Sequence, residues 1–502
     1  MKQEQAPTTK DSGYNGILKY IGIFGGVQGI VSVITLLKVS IVSRLLGPIG
    51  VGITEVYNRS IDLGKKVTDL GISYSAVQAI SEQRGENDGL MEYAIKVVRS
   101  WSLWLALLGT LLFFLAAPLL SRWSFDGASA YTPMFRLLSL TVGCSVLMGG
   151  ELAVLKGARL LGRVAWYQLL SAVVMLAVSV PCYYVLGFSG IIPSLLLTAM
   201  GLLAVACWHS FKVFPYRVAL FSRKVLFDGL YIIRQGINYT LAGFLNSGAF
   251  YLISIYIFNR GSEGEAGCYS YGSLLISYLS MLVFAALDNE FFPRLSAANK
   301  HKQRSNHIVN SQVEILVVLI TPLIVGFAVC LPLISQTLLD AKFMPLVTMA
   351  QLGVTGLFFK AMMHPPACLS LSKGESRTFL VQEALSYLFM VAVMIGGFKL
   401  YGLNGLGVGM LLSNAFDWLT VWLITKLRYG FAYSRRVWHL FAVQCPILIA
   451  MVVVCLYAHG WIYVGGSAIV VAWSGFYTIR FLMRDTDLIH RMWNRVCRKA
   501  QR

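Results

Sequence analysis

Long apolar runs separated by short polar connections extend over most of the chain. About twenty mainly apolar residues form a helix long enough to cross a bilayer, and the runs predict fourteen such helices. They lie near residues 17–42, 50–74, 100–120, 133–155, 165–186, 189–208, 229–258, 267–292, 313–338, 346–371, 379–398, 403–425, 438–458 and 461–479. The pattern therefore predicts an all-α polytopic membrane protein with about 14 transmembrane helices.

The positions of lysine and arginine test this helix order independently. Cytoplasmic connections of membrane proteins are enriched in these two residues. With the N-terminus in the cytoplasm, 29 of the 42 lysines and arginines fall in cytoplasmic segments, 5 fall on the opposite side and 8 lie within helices. Removing one helix would invert every later connection. We therefore expect both termini in the cytoplasm and the basic tail 480–502 against anionic headgroups.

Short landmarks recur along the chain at a nearly constant offset. They are Lys156-Gly157 with Lys373-Gly374 and Gly50 with Gly267 at 217 positions, and Gly187 and Gly190 with Gly402 and Gly405 at 215. The recurrence predicts a parallel duplication into two six-helix lobes, and internal repeats are usual in secondary transporters. The predicted parts are a tail at 1–16, an N-lobe at 17–208, a basic linker at 209–228, a C-lobe at 229–425, an appended helix pair at 438–479 and a tail at 480–502.

Composition supports the membrane assignment and argues against nucleic-acid binding. Mean hydropathy is +0.67, and only 13% of the residues are charged, about half the usual share. The net charge is +19, but the lysines and arginines fall in short clusters between apolar runs. Since no basic domain or nucleic-acid module is recognisable, we expect no nucleic-acid partner.

The second predicted helix carries a stripe of charges. Glu55, Arg59, Asp62, Lys66 and Asp69 are spaced four, three, four and three residues apart, which places them on one helical face. A charge at the bilayer centre costs about 2.5–3.5 kcal/mol, so the stripe is expected to face protein or water. Two interpretations stay open: the alternating signs neutralise each other within the helix, or the stripe lines a cavity. The second is favoured.

Further charges lie inside predicted helices. The candidate cations for binding a substrate are Lys38, Arg44, Arg59, Lys66, Arg234 and Lys360. A cavity lined by such cations suits an anionic substrate such as a phosphate or pyrophosphate. For charges near helix ends, Glu151 among them, snorkelling to the interface is an equally good interpretation.

No catalytic motif, nucleotide-binding loop or metal-ligand spacing occurs. We therefore expect neither an enzyme nor a cofactor nor a metal site, and any energy would come from an ion gradient or from mass action. The candidates for H⁺ or Na⁺ coupling are Asp417 and Asp288, which lack an obvious neighbouring cation in the sequence. Asp62 is a third candidate, although it lies between Arg59 and Lys66 on the stripe and is expected to be paired.

Several short segments resemble a known family. They are Ser43-Arg44-Leu45-Leu46-Gly47-Pro48-Ile49-Gly50-Val51-Gly52, Asn58-Arg59-Ser60, Gly71-Ile72-Ser73-Tyr74, Lys156-Gly157, Phe292-Pro293-Arg294-Leu295-Ser296 and Lys342-Phe343. Together they resemble the polysaccharide (O-antigen) flippases, the Wzx group of the multidrug/oligosaccharidyl-lipid/polysaccharide exporter superfamily. The likeness runs over most of residues 15–425.

This resemblance implies a fold and a function. It implies two six-helix lobes around a cationic central cavity, and alternating access in a bacterial inner membrane. The implied cargo is an undecaprenyl-pyrophosphate-linked oligosaccharide. Arg44 matches the basic residue that ends helix 1 in the family, and Arg59 matches its helix 2 arginine. The pair 438–479 resembles the two extra helices of the family's lipid II flippases.

The expected partners follow from the same resemblance. They are the lipid-linked oligosaccharide, membrane lipids, and a glycan polymerase or glycosyltransferases of the same pathway. Two alternatives stay open. One is a multidrug/ion antiporter of the same fold, and the other is a membrane assembly factor that transports nothing.

Overall fold

A computed structural model describes residues 11–83, 88–262, 264–298 and 301–485. Within these ranges the protein is helical, with no β-strand. The helices are α1 (Asp11–Asp69), α2 (Ile72–Glu82), α3 (Asp88–Ser124), α4 (Thr132–Gly157), α5 (Leu161–Leu186), α6 (Ile191–Phe211), α7 (Arg223–Arg260), α8 (Glu265–Ala297), α9 (Lys302–Leu338), α10 (Leu346–Ser372), α11 (Ser376–Tyr429), α12 (Arg435–Tyr457) and α13 (Gly460–Asp485).

The helices are long and apolar enough for a multi-pass membrane protein. In the described part of the chain, ten helical segments have the length and composition of a membrane span. Because α1 breaks at Gly47 and α11 at Gly402, each provides two segments, whereas α2 is only 11 residues long. The described helices therefore provide fourteen long segments, and the predicted all-α polytopic fold is confirmed. Helix α1 begins at Asp11, inside the predicted N-terminal tail.

Glycines with a positive φ break the long helices. Gly47 has φ 61° and precedes Pro48, whose fixed φ suits the first turn of a new helix. Gly187 ends α5 with φ 55° and ψ −130°, and Gly402 divides α11 with φ 57° and ψ −138°. These values favour glycine, which has no Cβ. The two glycines that the predicted repeat pairs at 215 positions thus share one backbone conformation.

The repeat extends to helix lengths and prolines. Helices α3 and α9 each contain 37 residues and begin 214 positions apart. Pro118 in α3 and Pro332 in α9 lie at the same offset. After the Gly187 and Gly402 turns, Gly190 approaches the carbonyl of Cys182 and Gly405 approaches that of Gly397, again 215 positions apart. The predicted pseudo-repeat is therefore visible in helix lengths, prolines and turns.

The chain forms two compact units. Unit 1 comprises Met1–Gly50 and Val56–Ser247, and unit 2 comprises Val51–Glu55 and Gly248–Arg502. The division falls inside α7, and the lobe boundaries given by the sequence stay predictions. In unit 1 a core of buried aliphatic side chains joins α2, α3 and α4, with Ile72, Val98 and Val154 at its centre. In unit 2, α10 is the most buried membrane-length helix among those described.

Three side chains of unit 2 compensate three of the four prolines of α9 and α10. A proline inside a helix leaves the carbonyl four residues earlier without its backbone donor. Neighbouring side chains donate to three such carbonyls: Thr478 to Val318 (3.1 Å), Gln351 to Ala328 (3.0 Å) and Tyr433 to Met362 (2.9 Å). These donors match Pro322, Pro332 and Pro366. Helices α9 and α10 therefore continue through their prolines, as membrane helices do when neighbours satisfy the freed groups.

Candidate functional site

The charged stripe of α1 packs against α7 within unit 1. The Ser247 hydroxyl donates a 2.5 Å hydrogen bond to the Asp62 carboxylate. The side chain of Lys66 runs past Gly243, where a Cβ would lie 3.4–3.7 Å from its last three atoms. Residue numbers rise along α1 as they fall along α7, so the two helices are antiparallel here. This part of the stripe faces protein, which was one of the two expected environments.

The contact between α1 and α7 depends on small residues. Gly236, Thr240, Gly243 and Ser247 follow one another at helical spacing along α7. Gly71, with φ 77°, lies against this stripe, and a Cβ there would lie 2.6 Å from the Gly236 carbonyl oxygen. A Cβ on Gly236 would in turn lie 2.9 Å from the Gly71 oxygen. The two backbones therefore touch, and this approach positions the last turns of α1.

The acid at the end of the stripe has local partners. Asp69 is buried and accepts a 2.6 Å hydrogen bond from Ser73. Ser73 in turn lies against Gly149 of α4, where a Cβ would lie 2.7 Å from its hydroxyl oxygen. Asp69 therefore joins the end of α1 to α2 and α4.

Five of the six candidate cations lie in unit 1. Lys38 is half-buried in α1 and Arg234 is exposed on α7. Within the described residues, neither forms a hydrogen bond or an ion pair. The Lys66 ammonium lies 5.7 Å from the centroid of the Tyr74 ring, Arg44 is exposed and Arg59 is half-buried. Among the described residues, unit 1 thus holds two cations without an ionic partner. Lys38 lies within a candidate membrane span, and Arg234 lies six residues before the span that begins at Thr240.

The sixth candidate, Lys360, belongs to a polar cluster inside unit 2. It lies at the middle of α10, and its ammonium donates a 3.1 Å hydrogen bond to Ser280 of α8. The same ammonium lies 5.4 Å from the centroid of the Phe284 ring. Because the middle of a spanning helix lies near the bilayer midplane, this lysine is held far from the interfaces.

Two carboxylates of α11 complete this cluster. Asp417 accepts a hydrogen bond from Ser386 and interacts electrostatically with Lys360. The sequence shows no cation next to Asp417, and the structure adds the charge of Lys360, which comes from another helix. Glu383 accepts a hydrogen bond from Tyr387 and interacts with both Asp417 and Lys360. Glu383 was not among the predicted site residues, although it is the only charged residue in the apolar run 379–398.

The remaining coupling candidate is Asp288. The side chain of Asp288 lies outside the described residues. In the part of the chain that is described, no three histidine, cysteine or acidic side chains come together as metal ligands would.

A buried ion pair in unit 1 also escaped the sequence analysis. Arg99 of α3 and Glu151 of α4 are both buried, and Nε of Arg99 lies 3.0 Å from the carboxylate. The guanidinium also donates to the Ser210 hydroxyl and to the carbonyls of Phe214 and Pro215. Of the two interpretations left open for Glu151, snorkelling to the interface does not fit its burial in this ion pair. No sequence signal joins the two residues, which lie 52 positions apart.

A family model described as "Polysaccharide biosynthesis protein" matches residues 41–348. The chain belongs to this family. This family membership agrees with the resemblance to polysaccharide exporters that the sequence motifs indicate. No curated protein sequence matches the chain.

Solved structures share the fold at low sequence identity. A lipid II flippase, MurJ, in an inward closed conformation superposes with a TM-score of 0.69 at 14% identity, covering 92% of this chain and 99% of that one. An inward-facing multidrug resistance MATE family transporter of the MOP superfamily has a TM-score of 0.65 at 16% identity, with 80% and 94% covered. A MOP superfamily transporter from Pyrococcus furiosus gives 0.59 at 17%, with 82% and 94% covered. These likenesses establish the fold.

Proposed function

We propose that this protein is a flippase for polyprenyl-pyrophosphate-linked oligosaccharides. It would carry a surface-glycan repeat unit, such as that of O-antigen, from the inner to the outer leaflet of the bacterial cytoplasmic membrane by alternating access. Family membership and a fold shared with a lipid II flippase support this proposal. The sugar-diphosphate head would pass through the protein while the polyprenyl tail stays in lipid.

The observation that carries the proposal is the pair of uncompensated cations in unit 1. Lys38 lies in a segment with the length and composition of a membrane span, where a charge that nothing offsets costs about 2.5–3.5 kcal/mol. Lys38 and Arg234 have no ionic partner among the described residues, so an anionic ligand would supply the missing charge. A pyrophosphate suits either cation, since it accepts several charge-assisted hydrogen bonds. Arg44, Arg59, Lys66 and Lys360 are the further candidates for binding it.

Alanine substitution of the two cations tests this proposal. Lys38→Ala and Arg234→Ala are each expected to lower lipid-linked oligosaccharide translocation in proteoliposomes by about tenfold or more, because a hydrogen bond to a charged group contributes about 1.5–3 kcal/mol. Arg234→Lys should restore activity in part, since it keeps the charge but not the bidentate geometry. Arg122→Ala, at an exposed position in the last turn of α3, is the matched control. Wild-type translocation by both alanine variants would contradict the cation-binding role.

We place ion coupling at the Lys360 cluster of unit 2. One lysine and the two carboxylates of Asp417 and Glu383 leave a formal charge of −1, which a single H⁺ or Na⁺ would neutralise. Asp417 is therefore the first coupling candidate, and Asp288 stays a second. Asp62 is less suited, because it lies between two cations of the stripe, Arg59 and Lys66, whereas Asp417 shares one lysine with a second carboxylate. No other cofactor is needed.

A multidrug/ion antiporter of the same fold is the alternative function. Its support is the fold shared with a multidrug transporter and the excess negative charge of the Lys360 cluster. An antiporter would exchange a cationic drug for the ion in proteoliposomes and would leave lipid-linked oligosaccharide in its original leaflet. A non-transporting assembly factor would move neither compound.

The proposed orientation places both termini in the cytoplasm, where glycosyltransferases or a glycan polymerase of the same pathway would meet the protein. In a cysteine-free background, a single cysteine replacing Ala130 or Ser262 should react with an impermeant reagent added outside. A cysteine replacing Lys373 or Ala432 should react only after the membrane is opened. All four positions are exposed. A site labelled from the wrong side would refute the orientation.

A further inference from the structure

The connection between α6 and α7 presents aromatic rings to the outside of unit 1. Phe221 is 85% exposed, Phe227 is 71% exposed and Tyr231 is 66% exposed. We call the aromatic and basic side chains of this region the linker surface. It comprises Trp208, Phe211, Tyr216, Phe221, Phe227 and Tyr231 together with Lys212, Arg217, Arg223 and Lys224. Large rings this exposed mark an interaction site or a membrane contact.

Cations alternate with the rings on the linker surface. The Lys212 ammonium lies 3.9 Å from the centroid of the Trp208 ring, and that of Lys224 lies 5.2 Å from the Tyr93 ring. Arg217 pairs with Glu92 at 3.0 Å. Among the described residues, Lys212, Arg223 and Lys224 have no carboxylate partner. The surface therefore carries unmatched positive charge.

The linker is fixed to α3 by hydrogen bonds. Arg99, which is 2% exposed, donates to the carbonyl of Pro215 at 2.8 Å. Further along, the Ala219 amide donates to the Ser100 hydroxyl at 2.9 Å, and the Trp104 indole donates to the Leu220 carbonyl at 3.1 Å. The exposed rings are thus held outward by a fixed backbone, so their exposure belongs to the fold.

We propose that the linker surface anchors unit 1 in the headgroup layer of anionic phospholipids. Aromatic rings are enriched at the boundary between headgroups and acyl chains, and clusters of lysine and arginine recognise anionic headgroups. The linker surface combines both. It begins on α6 and ends on α7, which are membrane-length helices, so it lies where a headgroup layer would meet them. This inference does not depend on the proposed flippase activity.

Two features favour a lipid layer over a soluble partner protein. The rings and cations alternate along one stretch of chain, as in segments that lie in a membrane interface. The surface is also continuous with helices that lipid must surround. A headgroup layer is therefore the occupant that fits both the charge and the position.

Hydrogen–deuterium exchange of the full-length protein in nanodiscs tests the proposal. We expect amides of residues 213–222 to exchange about tenfold more slowly in discs containing phosphatidylglycerol than in discs of phosphatidylcholine. The connection at residues 125–131, which contains the exposed acid Asp126, is the internal control and should exchange equally in both. A Lys212→Gln, Arg223→Gln, Lys224→Gln variant should lose the difference between the two lipids.

A second variant separates the rings from the charges. Phe221→Ser with Phe227→Ser should raise exchange in both lipids, while α3 keeps its protection and so reports an intact fold. Equal exchange of residues 213–222 by the wild type in the two kinds of disc would overturn the proposal. Slowing in the anionic discs that persists in the triple glutamine variant would overturn it as well, because the cations would then not be the recognised feature.

Discussion

The second half of α1 and helix α8 occupy equivalent places in the repeat but differ in charge. At an offset of 217, the α1 residues Arg59, Asp62 and Lys66 correspond to α8 residues that are all apolar. These are Ile276, Leu279 and Val283. In α1 the charges meet a serine and a glycine of α7, whereas Val283 belongs to the buried apolar side chains of unit 2. The duplication thus retained the helix and not its polar face.

At another pair of equivalent positions, unit 2 carries the charges and unit 1 does not. At an offset of 215, its carboxylates Glu383 and Asp417 correspond to Gln168 and Leu202 of unit 1. Helix lengths, prolines and glycine turns recur in both units because each half must satisfy the same backbone constraints in a membrane. Charges are costly there, so they persist where they have a use. The two units therefore share an architecture and differ in chemistry, with uncompensated cations in unit 1 and a carboxylate cluster in unit 2.

Among substitutions at features that differ between the two units, breaking the Arg99–Glu151 pair is expected to reduce stability most. At an offset of 214, Arg99 corresponds to the buried Val313 of α9, so unit 2 has no such pair there. Arg99→Met leaves Glu151 buried and unpaired, which should lower the free energy of unfolding by about 3–5 kcal/mol. Thermal unfolding of the purified protein in detergent measures the change.

The control for this pair is the exposed one between Arg217 and Glu92. Arg217→Met should cost about 0–1 kcal/mol, since water already screens both charges. Arg99→Met with Glu151→Met should recover much of the loss, because no charge is then left buried. If Arg99→Met cost no more than Arg217→Met, the pair would not be a distinguishing feature of unit 1.

An intermediate effect is expected at Gly71, where α1 touches α7. Both the positive φ of Gly71 and the close approach of Gly236 disfavour a side chain. Gly71→Ala should therefore lower the free energy of unfolding by more than the roughly 1–2 kcal/mol of backbone strain alone. Gly374 of unit 2 is the matched control, because its φ is 72° and nothing lies near its missing Cβ. Equal loss of thermal stability in the two alanine variants would mean that the α1–α7 contact adds nothing.

The smallest effect is expected at the helix starts of α5 and α11. Glu375 precedes α11, and Leu160 holds the equivalent place before α5. Burial alone would raise the pKa of Glu375, but hydrogen bonds from Thr378 and Tyr429 and the nearby Arg428 charge lower it below its ordinary value. The unfolded chain has a glutamate pKa of about 4.3, and the folded protein has a lower one. Ionised Glu375 therefore stabilises the fold above about pH 4.3, and this stabilisation is lost as the pH falls through the lower pKa of the folded protein.

Glu375→Gln should therefore reduce thermal stability slightly at pH 7, by about 0–1 kcal/mol, and the difference from wild type should shrink below about pH 4.3. Leu160→Gln introduces no titrating group, so any change in thermal stability that it causes should be the same at pH 7 and below about pH 4.3. A Glu375→Gln effect that did not vary with pH would show that the carboxylate charge is not what stabilises this helix start.

Features set by local sequence were predictable, and contacts between distant segments were not. The helices follow from apolar runs, and the breaks at Gly187 and Gly402 follow from residues that favour a positive φ. Arg99 and Glu151 meet only because α3 packs on α4, and the charge of Lys360 acts on Asp417 only because α10 packs on α11. Glu383 was visible as a lone charge in an apolar run, so its position was predictable although its partners were not.

Lipid-linked oligosaccharide translocation by reconstituted protein tests the central claim most directly. Proteoliposomes would carry a polyprenyl-pyrophosphate-linked oligosaccharide in one leaflet, with or without an imposed pH or Na⁺ gradient. We predict that the protein transfers the oligosaccharide to the other leaflet faster than protein-free liposomes do, and that one of the two gradients accelerates this transfer. The Asp417→Asn variant should still bind the substrate but should show no acceleration by the gradient. Folded protein that moves the oligosaccharide no faster than protein-free liposomes, under either gradient, would contradict the account.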